Sequence, residues 1–440
     1  MTPALASADE PGAPVLPPEE AEQDLSPARF DAQLGLKGWN IPFPSFGDTL
    51  TQDVGGFRSA LAEYGIGVLA FTIPLTAMNL LSEPRETNGE QAYWGQKLSG
   101  FLGTQAFLML DMGHFGVPGG QLQISGQFTI SSWDPYLPDT LSLNRLAYHQ
   151  RLFDDTLEFL VGYTTLDTAF VGAFIGGNIA NPFGPSATIP VELGLATPPA
   201  VAPAAWIKLN LEPGIYGQFA IQRSLPPVAP FITNDQLNPS GFEITVDDAE
   251  VLLVGEAGYK RGPTPDGPSL WGRLGGMYNS SPYPDFSEPE QTTTNFAGYL
   301  LVDGQVLQLD ASSPLTAYRG LYLGGSVMYA PPKANVISQY YEARAYINGP
   351  FRSRFKDQIS LVYFHQVFSH YLRDSTNAVS DTTGVFARSS SNTMTASYTG
   401  NILPGLYATL ALSYTDHPSF VFDESGGHAL LFVANLFIAY

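Results

Sequence analysis

The stretch NTMTASYTGNILPGLYATLALSYT, Asn392 to Thr415, alternates by twos on both sides of a turn signal. Before the turn, Met394, Ala396 and Tyr398 fall between Thr393, Thr395, Ser397 and Thr399. After it, Leu406, Ala408, Leu410, Leu412 and Tyr414 fall between Tyr407, Thr409, Ala411, Ser413 and Thr415. A period of two is that of a β-strand, whose successive side chains point to opposite faces. Leu403-Pro404-Gly405 is a turn tripeptide, so the stretch reads as two strands, each with an apolar face and a small polar face.

The same pattern extends outward. In GIYGQFAIQR, Ile215, Gly217, Phe219 and Ile221 oppose Tyr216, Gln218, Ala220 and Gln222. With turn residues as punctuation, strands fall near 66–82, 92–112, 120–132, 141–151, 156–165, 203–211, 214–223, 249–260, 268–281, 294–308, 317–331, 335–348, 357–369, 392–402, 405–416 and 429–440. Short connections (154–156, 212–214, 403–405) alternate with longer ones (166–202, 224–248, 282–293, 370–391). An even number of strands, short turns at one end and long loops at the other, is the layout of a bacterial outer-membrane barrel. Tyr163, Tyr259, Tyr278, Tyr329, Tyr414 and Tyr440 stand near strand ends, where interfacial girdles require aromatics. A soluble propeller would show a repeat of roughly 40–50 residues, and none is found.

A helical membrane protein is a poor alternative, because a spanning helix needs about 20 apolar residues. Gly65 to Leu81 is shorter and carries Pro74, and Thr168 to Pro190 is broken by Gly, Asn and Pro. The expected fold is therefore all-β: a transmembrane antiparallel β-barrel of about 16 strands. Asp53, Phe57, Leu61, Tyr64 and Gly65 mark a short helix before the first strand, at the periplasmic mouth.

Composition agrees with this and excludes much else. Charged residues are 14% of the 440-residue chain, against roughly 25% in ordinary globular proteins. The net charge of −21 comes with no Lys/Arg run, so nucleic acid is not an expected partner. The absence of cysteine removes disulfides, thiolate nucleophiles and zinc-thiolate sites. The histidines are dispersed and no nucleophile elbow, phosphate loop or metal-binding helix is present. No enzyme, catalytic residue, metal or cofactor is expected. No basic region followed by an apolar one opens the chain, but Ala4 to Gly12 (ALASADEPG) has the small-residue look of a signal-cleavage region. Residues 1–37 read as an acidic, Pro-rich disordered tail, 38–65 as a periplasmic plug segment and 66–440 as the barrel.

LTQDVGGFRSALAEYGIGV (from Leu50) and YWGQKLSGFLGTQAFLMLDMGHFGVPGGQLQISG (Tyr93 to Gly126) resemble the carbohydrate-selective porins of the OprB family, in which a GG-x-R-x-x-L-A-E-x-G-I segment precedes the first strand. LEFLVGYTTLDTAF, VLLVGEAGYKRG, NFAGYLLVDGQVLQ and GPFRSRFKDQISLVYFHQVFS follow in the family's order. The chain departs from the family in SEPRETNGEQAYWG, which lacks paired glycines, and in Pro74, which removes a ladder donor from the first strand. The resemblance implies a Gram-negative outer-membrane barrel that passes monosaccharides by facilitated diffusion. Its partners would be outer-membrane lipid, lipopolysaccharide and small sugars, with a monomer or homotrimer and a possible periplasmic partner.

Such a pore needs a constriction with hydrogen-bonding charges and aromatic faces. A charge on a strand cannot face lipid cheaply, at roughly 2–4 kcal/mol for Arg or Lys at the midplane, so strand charges should point inward. The candidate lining residues are Arg85 and Glu90 in the first loop, Tyr93, Trp94 and Lys97 opening strand two, then Arg145, Glu158, Glu256, Trp271, Arg273, Glu342 and Arg344. Cross-lumen ion pairs would give the same pattern. A general or cation-preferring pore, or a non-transporting barrel that anchors a partner, is the alternative function. The apolar segment 166–202 is expected either to fold into the lumen or to pack on another protein. The terminal strand, ALLFVANLFIAY, is apolar on both faces, so the 53–65 helix or the 166–202 segment should cover its inner side.

Overall fold

The computed structural model describes residues 30–40, 45–81, 91–133, 139–166, 169–176, 184–192, 201–211, 213–224, 238–418 and 428–440. Sixteen strands form a closed antiparallel barrel in chain order. They are β1 (Ile66–Asn79), β2 (Ser99–Asp111), β3 (Gly120–Ser131), β4 (Thr140–Leu152), β5 (Leu157–Thr164), β6 (Ala202–Leu211), β7 (Ile215–Arg223) and β8 (Val251–Arg261). The second half comprises β9 (Leu270–Pro284), β10 (Thr292–Gln308), β11 (Gly320–Tyr329), β12 (Ile337–Asn348), β13 (Gln358–Phe368), β14 (Ser390–Leu403), β15 (Leu406–Thr415) and β16 (Ala429–Ala439). Each overlaps one of the strands expected from periodicity. The clearest difference is at β2, which starts at Ser99 because Gly95, at φ +86°, turns the chain before it.

Closure answers a physical demand, since hydrocarbon offers no partner to an edge strand. β16 pairs with β1 from Phe71↔Ala439 to Asn79↔Leu431. Within this ladder Ile73 and Pro74 make no pair with β16, while the register on either side is unchanged. Proline has no N–H to donate, so its cost is one local gap in the seam.

The two wall faces divide as the alternation requires. Leu410, Leu412 and Tyr414 are exposed on β15, whereas Ala411 and Ser413 are buried; on β7, Phe219 and Ile221 are exposed and Gln218, Ala220 and Gln222 buried. The apolar exposed face is the one that lipid would solvate. No helix among the described residues is long and apolar enough to cross a membrane, so the strands alone form the wall.

Inside the barrel, two segments cover the β1, β2 and β16 side. A helical turn at residues 30–34 buries Phe30 and Leu34, which join Phe46, Leu69, Phe71, Phe107 and Met109. This turn lies in the stretch read from sequence as tail; residues 1–29 lie outside the described residues. Tyr93 and Trp94 pack on Leu75, Ala77, Leu431 and Val433. The inner face of β16 is therefore covered by the 91–98 loop and, through Phe437 stacked on Phe71, by the first cluster. Among the described residues, neither the 166–202 segment nor the main part of the 53–65 helix does this.

That helix spans Phe57–Ala62, after a short 3-10 turn at Val54–Gly56. Asp53 caps it, its carboxylate accepting from the backbone N of Arg58 and Ser59. The buried face of the helix is not the apolar one: Phe57 and Tyr64 are exposed, and Arg58 and Ala62 are buried. The cause is polar, because the Arg58 guanidinium donates to Thr49 Oγ1 and to the Gln52 carbonyl and lies over the Phe46 ring. Leu50 N, next to Thr49, donates to the Ala439 carbonyl at 2.8 Å, and Asp48 accepts from Gly405 N and Lys356 Nζ. The segment before β1 is thus tied to the turn end of the last strands.

Candidate functional site

The described part of the β5–β6 connection, residues 169–176 and 184–192, lies inside the barrel. Phe170, Val171 and Ala173 are buried against Ala220, Val254, Met277, Tyr299 and Tyr340 of the inner wall from β7 to β12, with Ile189 of the Pro185–Glu192 helix in the same cluster. The loop backbone is held by wall side chains. Gln218 Nε2 donates to the Ala169 carbonyl at 2.8 Å, and Asn40 of the N-terminal segment donates to the same oxygen. Val171 N donates to Glu256 Oε2 at 2.9 Å, while Arg273 Nε donates to the Val171 carbonyl.

Two glycines let the loop lie against the wall. A Cβ at Gly172 would stand 2.3 Å from Trp271 Cη2, and one at Gly176 would stand 2.5 Å from Glu342 Oε1. Any other residue would lift the loop off these contacts. Cross-strand glycines do the same for two tyrosines: the Tyr216 ring lies on Gly258 and the Tyr299 ring on Gly275. Both phenols then reach Glu256, at 2.9 and 2.8 Å.

From Glu256 a belt of polar groups follows the wall from β8 to β12. Arg273 Nη1 lies 3.2 Å from Asp303 Oδ2, and Arg344 grips both oxygens of Asp303 at 2.7 Å. Arg344 also donates to Ser326 Oγ at 2.7 Å and to Glu342, whose other oxygen accepts from Tyr340. The two guanidinium groups and Glu342 are fully buried. Gly324 makes room for this, since a Cβ there would meet Asp303 Oδ1 at 2.3 Å. Trp271 supplies the aromatic surface: the Arg273 guanidinium sits 3.9 Å and the Lys260 ammonium 4.3 Å from its ring, and its Nε1 donates to Tyr216.

A second cluster lies toward the turn end. Glu158 contacts His149 Nε2 at 3.1 Å, Asn210 at 2.8 Å, and Arg151 and Lys208 more loosely. Arg145 is buried over Trp39 and donates to Gln123 Oε1. Gln121 and Gln123 hold the backbone of Gly35 and Lys37 along this wall. Burial lowers the affinity of the Lys37 ammonium for its proton, and nearby Arg151 adds to this, against the pull of Asp111, Asp155 and Glu158.

Of the residues singled out from sequence, Glu256, Trp271, Arg273, Glu342 and Arg344 meet in one belt. Arg145 and Glu158 belong to the second cluster. Tyr93 and Trp94 lie in neither; they belong to the loop over β16, where Tyr93 accepts from Asn79 at 3.0 Å. Lys97 is exposed on that loop, ahead of the strand it was expected to open, and Arg85 and Glu90 lie outside the described residues. The expectation missed Asp303, Lys208 and Lys260, although the rule that strand charges face inward applies equally to them. It also missed Trp39 and Lys37, which sit on a segment read as tail and plug. No group of metal-binding side chains occurs among the described residues.

A family model described as carbohydrate-selective porin, OprB family, matches residues 85–431. Among solved structures, the high-pH structure of Pseudomonas putida OprB is similar at a TM-score of 0.74 and 16% identity, covering 89% of this chain and 98% of that one. The low-pH structure of the same protein gives 0.53 and 15%, over 90% of this chain and 100% of that one. No curated protein matches the chain. With the family match extending over most of the barrel, the chain belongs to the OprB family of carbohydrate-selective porins: a Gram-negative outer-membrane channel for small sugars, and not an enzyme.

Proposed function

We propose that the channel selects monosaccharides at the belt where the 169–176 loop meets Trp271, and that Trp271, Lys260, Lys208 and Trp39, the last backed by the buried Arg145, are the groups a passing sugar meets. The observation that carries this reading is the Trp271 indole, flanked by two cations and bonded to a phenol, beside the inward loop. An aromatic face suits the C–H side of a pyranose and the cations suit its hydroxyls, and weak contact of this kind lets the solute leave again.

A general cation path is less favoured by the same groups. Glu256, Asp303, Glu342 and Glu158 each accept hydrogen bonds from protein donors, so the net charge of −21 does not translate into bare carboxylates along the belt. Phe30, Leu34 and Phe46 act, in this proposal, as a brace that fills one side of the lumen and leaves the solute the polar side. Liposome swelling tests the reading. Glucose should enter faster than disaccharides and amino acids, and Trp271→Ala should reduce that preference. Equal entry of all solutes of similar size would favour a general pore, and no swelling with a folded barrel would favour an anchoring role.

A further inference from the structure

We propose that Glu256 is a positioning residue that sets the size limit of the channel by holding one strained turn of the inward loop. The inference rests on the channel reading above. Val171 has φ +63°, a conformation that a β-branched residue rarely adopts. Gly172 N donates to the Phe170 carbonyl at 2.7 Å, which closes a γ-turn with Val171 at its centre, and the form with positive central φ is the rare and strained one. Such a backbone persists only where its surroundings over-determine it.

The surroundings here are two buried charges. The Glu256 carboxylate accepts from the N–H of Val171 and the Arg273 guanidinium donates to its carbonyl, so both polar groups of the strained residue are clamped by the wall. Glu256 is itself fixed: Oε2 also accepts from Tyr299, and Oε1 accepts from Tyr216 and Gln218, the latter at 2.8 Å. With four protein donors on two oxygens, its hydrogen-bonding capacity is spent on the loop and its supports. Its work on the solute is therefore indirect. The turn places Gly172 flat on Trp271 and directs the chain to Gly176 on Glu342. If the clamp is lost, the turn relaxes and the loop leaves Trp271, widening the gap between them.

The full-length protein, reconstituted in liposomes, tests this through the rate of trisaccharide entry relative to glucose. Glu256→Ala should raise that ratio roughly fivefold or more, the factor by which an unclamped strained residue is expected to leave its conformation. Glu256→Gln keeps an acceptor for Val171 N and should recover most of the difference. Adding Val171→Gly to Glu256→Ala should also lower the ratio again, because glycine adopts positive φ without strain; a role of Glu256 in general wall stability would not be repaired this way. Heat-dependent migration in detergent gels reports whether each barrel is folded. If Glu256→Ala alone does not fold, recovery of folding by Val171→Gly supports the clamp and its absence overturns it. An unchanged ratio in folded Glu256→Ala, or no rescue by either variant, overturns the clamp while glucose entry upholds the channel. Wild-type vesicles that exclude glucose overturn the channel reading and this inference together.

Discussion

Replacing Asp303 with Asn removes the one carboxylate that Arg273 and Arg344 share. Arg344 grips Asp303 through two hydrogen bonds of 2.7 Å, and Arg273 approaches it at 3.2 Å. After the change Arg344 still has Glu342 and Ser326, whereas Arg273 keeps only the carbonyls of Val171 and Trp271. One buried guanidinium is then left without a carboxylate in contact. Breaking a buried ion pair from one side costs about 3–5 kcal/mol; the retained Glu342 and the isosteric amide reduce this to about 2–3 kcal/mol. Urea unfolding of the detergent-solubilised barrel, followed by tryptophan fluorescence and gel migration, measures the loss. In planar bilayers under a KCl gradient the same variant should shift the reversal potential toward chloride, because the belt gains positive charge. A loss below about 0.5 kcal/mol, the range of exposed pairs, together with an unchanged reversal potential, would refute the claim that Asp303 is the shared counter-charge of the belt.

Leu410 is exposed on the outer face of β15, opposite Ala434 and Tyr398. Leu410→Arg should cost about 2–4 kcal/mol if it lies near the bilayer midplane, read as reduced folding into lipid vesicles, with Leu410→Ile as the neutral control. At the turn end, burial pushes the Asp357 carboxyl up, but Arg354, Tyr398 and the backbone N of Asn401 outweigh this and hold it below its usual range. A depressed carboxyl contributes stability at pH values above the unfolded-state value near 3.8, and that contribution fades as pH falls through the lower folded value. Acid titration of unfolding should therefore show a steeper loss below about pH 4 in the wild type than in Asp357→Asn; parallel curves would remove Asp357 from the acid response.

The wall was legible because each strand is half solvated by lipid, and this imposes a period of two on every one of them. Met394, Leu410 and Phe219 are exposed and Thr395, Ser413 and Gln218 are buried, as the alternation alone requires. What periodicity does not encode is contact across the lumen. Tyr93 and Trp94 read as the start of a strand because aromatics favour strands; they turn inward because Gly95 takes a positive φ against Ala77 and Leu431. The Phe57, Leu61 and Tyr64 spacing marked a helix but not its buried face, which Arg58 takes because its donors are satisfied there. Of the belt, Glu256, Arg273, Glu342 and Arg344 were found by a solvation rule that needs no structure, but Asp303 was missed and the pairing was not legible. Asp303 and Arg344 are far apart in sequence and meet only because β10, β11 and β12 are neighbours.

The asymmetry of the interior bears on how the channel works. On the side of β1, β2 and β16 the inward residues are Leu69, Phe71, Leu75, Met109, Leu431 and Val433, and they are covered by Phe30, Leu34, Phe46, Tyr93 and Trp94. Water gains nothing there, so that side is closed by the hydrophobic effect rather than by charge. From β8 to β12 the inward residues include the charged Glu256, Arg273, Asp303, Glu342 and Arg344, which are expensive to bury without partners and are therefore bonded to one another and to the loop. In the proposed reading a hydrated sugar is kept from the first side by packing and passes near the second, where polar groups line the wall. The chain's inner half thus needs an apolar brace for the same reason that it needs a polar belt: each leaves the solute only one wall to follow.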